Sequence, residues 1–351
     1  MDPIISYQLM YKDRVAIEFN SDQSHDYRVV NQQLIPVGIQ NGMRLEAWLR
    51  QRRADRSRVS VRKLFATLKM NFGDDQYVSQ FRKPTDFWWI RPKGSAEVFD
   101  MKIENLYRLS LNLSAMIPKS PRNFEVTNIG SYEKGWKGNI LLKAGNSNEF
   151  FSELLYAKIS AKYMETATYS LTKIEGRTFI GTPNFVNLEQ GEYLVLADEW
   201  TGTGPEEDFE GWLKRFKDCV ESHELEILKE MHFLDVVLNN FDRHCQNFGF
   251  VYREGGHRRV APNFDFNLSI IGYNGLEQLG GNEALVTNYF KTFSCVPVKF
   301  SIPPDEEWLK QAIVDICSEI GLVPEDYLSI VDWILARWEQ LIEVSKERDV
   351  E

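Results

Sequence analysis

The sequence is poor in the residues that build metal centres and disulfide frameworks. Its 351 residues include four cysteines and five histidines. Cys219, Cys245, Cys295 and Cys317 are scattered with no C-x-x-C spacing, which argues for a reduced, cytoplasmic setting without structural zinc. No run of about 18 apolar residues occurs, so no membrane-spanning helix is expected. The opening MDPIISYQLMYKDR has an early acid and no long apolar core, and does not read as a secretory signal. Basic charge is also short: 41 Lys and Arg stand against 51 Asp and Glu, a net charge of −10. That balance argues against wholesale binding to nucleic acid or an anionic membrane. Neither an internal repeat nor a low-complexity tract is present, and the length suits one large or two medium domains.

One stretch departs from the acidic balance. Arg44, Arg50, Arg52, Arg53, Arg56, Arg58, Arg62 and Lys63 cluster within 44–63. Leu45, Trp48 and Leu49 give one apolar helical face there, and Val61, Leu64, Phe65 and Leu68 another. Glu46 and Asp55 interrupt the charge and no aromatic platform is interleaved, so the stretch reads as a solvated helix face and loop rather than a nucleic-acid patch. Before it, Val15, Ile17 and Phe19 alternate with polar residues, predicting a small sheet. After it, Phe87-Trp88-Trp89-Ile90-Arg91-Pro92 reads as a buried strand stopped by proline.

The chemistry is concentrated between Phe233 and Phe266. An apolar helical run ends at Asn239-Asn240, and Asp242, Arg243, His244 and Asn247 follow. Two strand-like pieces, Phe248–Tyr252 and Arg258–Ala261, flank Glu254-Gly255-Gly256-His257, a hairpin turn by composition. The second strand runs into Asn263-Phe264-Asp265-Phe266. A loop thus offers a carboxylate and an amide, and a hairpin delivers a second carboxylate. This pattern suits phosphoryl transfer from Mg-ATP, which needs positioning and charge neutralisation more than covalent help. Asp242 would accept the proton of an attacking hydroxyl. Asn247 and Asp265 would hold magnesium, a hard ion that takes oxygen ligands and one or two carboxylates beside phosphates. The competing reading is an Asn/Asp-rich turn with Asp242 as a cap.

Asn240-x-Asp242-x-His244-x-x-Asn247 with Pro262-x-x-Asp265 resembles the motif pair of HipA-like serine/threonine kinases, a bacterial family that includes persistence-type toxins. Its Asp-Arg-His-x-x-Asn core also resembles phosphatidylinositol kinases, so these residues alone do not name the substrate class. The resemblance implies an α+β, bilobal protein-kinase-like fold, with a mixed α/β small lobe and a mainly helical large lobe. The expected division is an N-terminal subdomain at 1–125, a nucleotide-binding lobe at 126–204 and a helical catalytic lobe at 205–351. His244 is expected to order the catalytic loop.

The glycine-punctuated stretch Thr127–Gly138 can cradle phosphates through backbone N–H groups, though taken alone it reads as a hairpin turn. Gly130-x4-Gly135 has Walker A spacing, but Trp136 and Lys137 stand where Lys and Ser/Thr are required, which excludes that motif. Gly130, Ser131 and Lys134 resemble the family's phosphate loop. Lys143, closing the apolar strand Asn139–Lys143, fits the phosphate-binding kinase lysine; a solvent-facing strand end is the other reading. The following helix, Phe150 to Tyr163, offers Glu153 as its partner, with Glu149 second. The strand Glu192–Trp200 occupies the family's hinge position, and the backbone of Leu196, Ala197, Asp198 and Glu199 is expected to contact adenine. Thr201-Gly202-Thr203-Gly204-Pro205 then breaks the chain.

Beyond it, Phe209, Trp212, Leu213, Phe216 and Val220 mark one amphipathic helix, and Ile227, Met231, Leu234 and Leu238 a second that carries the catalytic loop. Residues 269–295, rich in Gly and Asn, read either as an activation or substrate-binding segment or as a surface connection. Pro303-Pro304-Asp305 opens a helix with Leu309, Ala312, Ile313 and Ile316 inward, and Gly321 ends it. A last helix from Glu325 is expected to bury Leu328, Val331, Leu335, Trp338 and Ile342.

The function expected is therefore an ATP- and Mg²⁺-dependent kinase acting on Ser/Thr of a protein. Two other classes remain: a lipid or small-molecule kinase, and a catalytically silent ATP-binding module. The resemblance also implies an antitoxin-like or DNA-binding partner protein, and regulation by phosphorylation of Ser131 or Thr127, whose added charge would oppose ATP phosphates.

Overall fold

The computed structural model describes residues 6–20, 23–52, 83–99, 134–137, 139–174, 176–202, 209–279 and 283–348. β1 (Ser6–Tyr11), β2 (Arg14–Asn20) and β3 (Gln23–Val29) form an antiparallel meander, and β4 (Trp88–Pro92) joins the other edge of β1. This first sheet is buried on both faces along β1 and the start of β4, while β2 alternates only from Ile17 to Phe19, where Glu18 points to the less buried side. A second sheet runs β5-β6-β8-β7, from β5 (Lys134–Lys137), β6 (Ile140–Lys143), β7 (Ser170–Ile174) and β8 (Arg177–Pro183). A third pairs β9 (Glu192–Leu196) with β10 (Gly249–Arg253), and β11 (Arg258–Val260) follows the hairpin turn.

The chain forms two compact units. The first takes Met1–Ala144, Thr172–Gly204 and Gly249–Arg258. Within it the aromatic strand and β9 share a core: the Tyr193 ring meets Trp88 at 4.9 Å and Phe87 at 6.2 Å, and Leu194 N donates to Thr85 O. Trp88 and Trp89 point to opposite faces of β4, and their indole nitrogens donate to Leu34 O and Lys12 O, each at 2.8 Å. Among the described residues this unit also holds the short helices α1 (Val37–Gln40) and α2 (Leu45–Arg50) and, after β9, one introduced below.

The basic stretch departs from expectation at Arg52. Its side chain is 1% exposed, clamped on Asp86 at 2.6 and 2.7 Å and on Trp88 O at 3.0 Å, and lies over the Trp48 ring. Burying a guanidinium is costly unless it is paired and hydrogen-bonded, and Asp86, 34 residues away, supplies both. Arg44 and Arg50 are exposed as expected, and Arg53 to Lys63 lie outside the described residues.

The second unit takes Gly145–Leu171, Pro205–Phe248 and Arg259–Glu351. Its first helix, α3 (Ser147–Ser160), starts with an Asn146/Glu149 capping box and is buried on almost every side. In the first unit, β9 ends in α4 (Ala197–Thr201), a short helix where a continuous strand was expected. The second unit continues with α5 (Phe209–Phe216), α6 (Ser222–Val237), α7 (Glu283–Thr292), α8 (Glu306–Ile320) and α9 (Ser329–Arg348). Phe209 and Trp212 of α5 meet Phe248 edge-on at 4.8 and 4.9 Å, and Phe233 of α6 packs on Phe300 and Trp338. Asp305 caps α8 by accepting from Trp308 N, and Gly321, left-handed at φ 79°, ends it. Helix α9 starts at Ser329 rather than Glu325; Val331 and Trp338 of its expected face are buried, Leu328, Leu335 and Ile342 are half-buried, and Ile334 and Leu341 go inward. Residues 283–292, part of the Gly/Asn-rich segment, are the helix α7 with Tyr289 and Phe290 in the core. Among the described residues no helix is long and apolar enough to cross a membrane.

Candidate active site

Helix α6 delivers the loop, and its end is fixed by its own polar residues. Asn239 adopts a left-handed φ of 53°, a conformation Asn tolerates better than most residues, and its Nδ2 donates to Gln278 O at 3.0 Å. Asn240 turns back instead: its backbone N donates to Asp235 O and its Nδ2 to Asp235 Oδ1, both at 2.7 Å. Asp242 follows, half-buried, with its backbone N on Asn240 Oδ1 at 3.4 Å. Asn247 closes the loop, donating from Nδ2 to Asp242 O at 2.8 Å and from its backbone N to His244 O. His244 Nδ1 accepts from Gln246 N at 3.2 Å, so this imidazole shapes the loop.

The organising group is Arg243. Its guanidinium is buried and grips Asp235 through Nε and Nη2 at 2.8 and 2.9 Å. Nη2 also donates to Asn263 Oδ1 at 2.9 Å, and Nη1 donates to two carbonyls, Asn247 O at 2.5 Å and Phe264 O at 3.1 Å. One nitrogen therefore joins Asn247 to the residue before Asp265, bringing together candidates 18 positions apart. Burial opposes the charge on Arg243, but the neighbouring Asp235 carboxylate outweighs it and pushes the guanidinium above its ordinary range.

Asp265 is held on both sides. It sits in the left-handed region at φ 66°, and its backbone N donates to Tyr169 OH at 3.0 Å. The next residue, Phe266, stacks on Tyr156 with centroids 4.0 Å apart and planes 9° from parallel. Tyr156 OH donates to Asp235 Oδ1 at 2.7 Å; burial first, then the Asp235 charge, pushes this phenol well above its usual range. Asn263 Nδ2 reaches Ser160 Oγ at 3.3 Å and Tyr156 OH at 3.5 Å, tying the strand end to α3. The signal that finds this support is Asp235 itself, a lone acid in the apolar run before Asn239; its partner Tyr156, and Asn263 on the other side of Arg243, lie too far along the chain to be read locally.

The remaining candidates are distributed over both units. Lys143 ends β6 with 6% exposure, opposite Lys134 of β5 and Ile180 of β8. Glu153 lies on α3 in the second unit and is 1% exposed. Glu149 is engaged in the capping box of that helix: its Oε2 accepts from Asn146 N at 2.7 Å and its backbone N donates to Asn146 Oδ1 at 3.0 Å. Leu196 precedes α4, and Ala197, Asp198 and Glu199 form its first turn. The side chains of Asp198 and Glu199 are buried: Gln51 Nε2 donates to Asp198, and Trp48 Nε1 donates to Glu199 Oε1 at 2.6 Å. Gly130, Ser131 and Thr127 lie outside the described residues. Among the described residues no three His, Cys, Asp or Glu side chains gather into a metal-binding group.

No protein-family model matches the chain, and no curated protein matches it. Solved structures do. HipA of Shewanella oneidensis MR-1, determined in a toxin–antitoxin complex with HipB and its operator DNA, matches over 98% of this chain and 100% of its own at 14% identity, with a TM-score of 0.57. The proinflammatory kinase CtkA of Helicobacter pylori matches over 67% of this chain and 95% of its own at 16% identity, with a TM-score of 0.43. With HipA superposable over nearly the whole chain, the fold is the mixed α/β fold of the HipA-like kinases.

Proposed function

We propose that the protein is an ATP- and Mg²⁺-dependent kinase that phosphorylates Ser or Thr hydroxyls of a protein. The observation that carries this reading is the double contact of Arg243 Nη1, which fastens Asn247 and the residue before Asp265 to one buried charge. Phosphoryl transfer depends on such positioning. The donor set suits magnesium: Asn247 commits its amide nitrogen to Asp242 O, which turns its amide oxygen away, and Asp265 adds a carboxylate. Bound magnesium would neutralise charge on the phosphate oxygens.

In this reading Asp242 takes the proton of the acceptor hydroxyl and His244 keeps the loop in shape. Lys143 binds the α/β-phosphates. The backbone of Leu196 to Glu199 holds adenine, and Gly130, Ser131 and Lys134 are assigned to phosphate binding. Autophosphorylation at Ser131 or Thr127 would add charge that opposes the ATP phosphates. The likeness to a HipA solved with HipB and operator DNA supports an antitoxin-like or DNA-binding partner protein.

The test is incubation of purified protein with Mg²⁺ and γ-labelled ATP, with and without cell lysate, beside Asp242→Asn and Asp265→Asn. Label on a protein band, lost in both variants, is the expected result. Mg-ATP binding without label on any protein would overturn the protein-kinase assignment in favour of a lipid or metabolite acceptor or a silent nucleotide-binding module.

A further inference from the structure

Aromatic side chains in this fold are buried or half-buried with two exceptions among the described residues, Phe241 and Tyr273, 45% and 67% exposed. These two touch: their ring centroids are 5.9 Å apart at 87°, an edge-to-face pair. Leu276, 43% exposed, stands on the 3₁₀ turn Gly275–Leu279 that follows. Exposed apolar groups that gather in one place mark contact surfaces more often than scattered ones do.

The segment that presents them is tightly fixed. Gln278 is buried, and its Oε1 accepts from Tyr273 N at 2.7 Å and Asn274 N at 3.1 Å while its Nε2 donates to Leu268 O at 3.0 Å. Asn239 Nδ2 holds Gln278 O from the catalytic-loop side. Ile270 takes a left-handed φ of 47°, rare for a β-branched residue, with its N on Leu238 O at 2.7 Å. Ile271 N donates to Ser152 Oγ at 3.2 Å. A strained backbone persists only where its surroundings enforce it, and such positions cluster at functional sites.

What covers these rings follows from their place in the chain. Phe241 directly precedes Asp242, so their Cα atoms are about 3.8 Å apart. An extended peptide advances about 3.3 Å per residue, so a side chain one to three positions from the reacting hydroxyl reaches the rings. Residues 267–279 contain no Lys or Arg and one acid, Glu277, which disfavours an anionic lipid headgroup. We propose that Phe241, Tyr273 and Leu276 form a ledge that seats an apolar side chain of the protein acceptor, next to the Ser or Thr presented to Asp242. The proposal rests on the kinase reading above and adds a sequence preference to it.

The experiment uses the full chain with Mg²⁺, γ-labelled ATP and a positional-scanning library of Ser/Thr peptides, beside phosphatidylinositol vesicles. The variants are Phe241→Ala/Tyr273→Ala and Leu276→Asp. The wild type should favour Leu, Ile, Met or Phe over Ala and Asp by about tenfold at one position within three residues of the acceptor. Both variants should lose that preference while keeping the wild-type affinity for Mg-ATP. Peptide labelling with no apolar preference, or a preference kept in both variants, would overturn the ledge and leave the kinase reading intact. Labelled lipid in place of peptide would overturn the occupant. A wild type that neither binds Mg-ATP nor labels any acceptor would sink the kinase reading itself, and the ledge with it.

Discussion

Arg243 and Asp235 form a two-pronged ion pair, Nε to Oδ2 at 2.8 Å and Nη2 to Oδ1 at 2.9 Å, with both side chains 3% exposed or less. Asp235 belongs to α6 and Arg243 to the loop after it, so the pair folds the loop back against its own helix. Such a pair is weak evidence for stability, because desolvation offsets much of the attraction. Its value here is geometric. The remaining donors of Arg243 go to Asn263 and to the carbonyls of Asn247 and Phe264, and the remaining capacity of Asp235 goes to Asn240 and Tyr156.

Removing one partner therefore strands a buried charge. Asp235→Ala is expected to lose about 3–5 kcal/mol of unfolding free energy, read by urea denaturation, together with phosphotransfer. Arg243→Lys should fare little better, since an ammonium cannot reproduce the planar fork. The double variant Asp235→Ala/Arg243→Met should regain part of the stability but none of the activity. Full activity in that double variant would show that the ion pair does not position the loop.

The two carboxylates of the site should fail in different ways. Asp242→Asn keeps the backbone bonds that hold the loop, so its melting temperature should match wild type while turnover falls by ~10²–10⁴, the usual cost of losing a general base. Asp265→Asn should flatten the magnesium dependence of both turnover and ATP affinity, because the amide lacks the carboxylate charge. A magnesium titration on the two variants separates these roles; identical curves would contradict the assignment.

Local chemistry made much of this legible in the sequence. The Glu254–His257 turn has Gly255 and Gly256 at φ 103° and 92°, where side chains are disfavoured, and the caps of α8 lie where Asp305 and Gly321 stand. Features resting on distant partners were not legible. Arg52 looks like one more surface arginine until Asp86 arrives from 34 residues away. Ala-Asp-Glu-Trp continues an apolar strand by pattern, yet the side chains of Asp198 and Glu199 find Gln51 and Trp48 and the chain turns helical. In α9 two adjacent apolar stripes are present, and only packing decides that Ile334 and Leu341 go inward. In the candidate site the reactive residue types were legible and their scaffold was not, since Asp235 needs Tyr156, 79 positions earlier.

Glu199 gives a pH signature. Burial pushes its carboxyl above the ordinary 4.5, opposed by Lys83 and by the Trp48 hydrogen bond. The folded state therefore binds more protons than the unfolded chain over the window that opens near 4.5 and extends upward. Stability from this group is fully present below 4.5 and is lost as pH rises through the raised value. Glu199→Gln keeps an oxygen for Trp48 Nε1 and cannot ionise. Unfolding free energy measured from pH 4 to 8 should fall with pH more steeply in the wild type than in the variant; parallel curves would mean that Glu199 titrates normally.

Gly249 tests whether β9 sets the nucleotide contact. It opens β10 directly opposite Leu196, and a Cβ there would collide with Val195 O and lie 2.8 Å from Leu196 Cα. Gly249→Ala must push β9 away, at an overpacking cost of about 1–3 kcal/mol, and would shift the Leu196–Glu199 backbone proposed to hold adenine. Gly255→Ala is the control: nothing lies within 4 Å of its Cβ, and its cost comes from φ alone. Titration with ATP should show weakened binding in Gly249→Ala and wild-type binding in Gly255→Ala, at comparable losses of stability. Equal ATP affinity in both would place adenine elsewhere than on the end of β9.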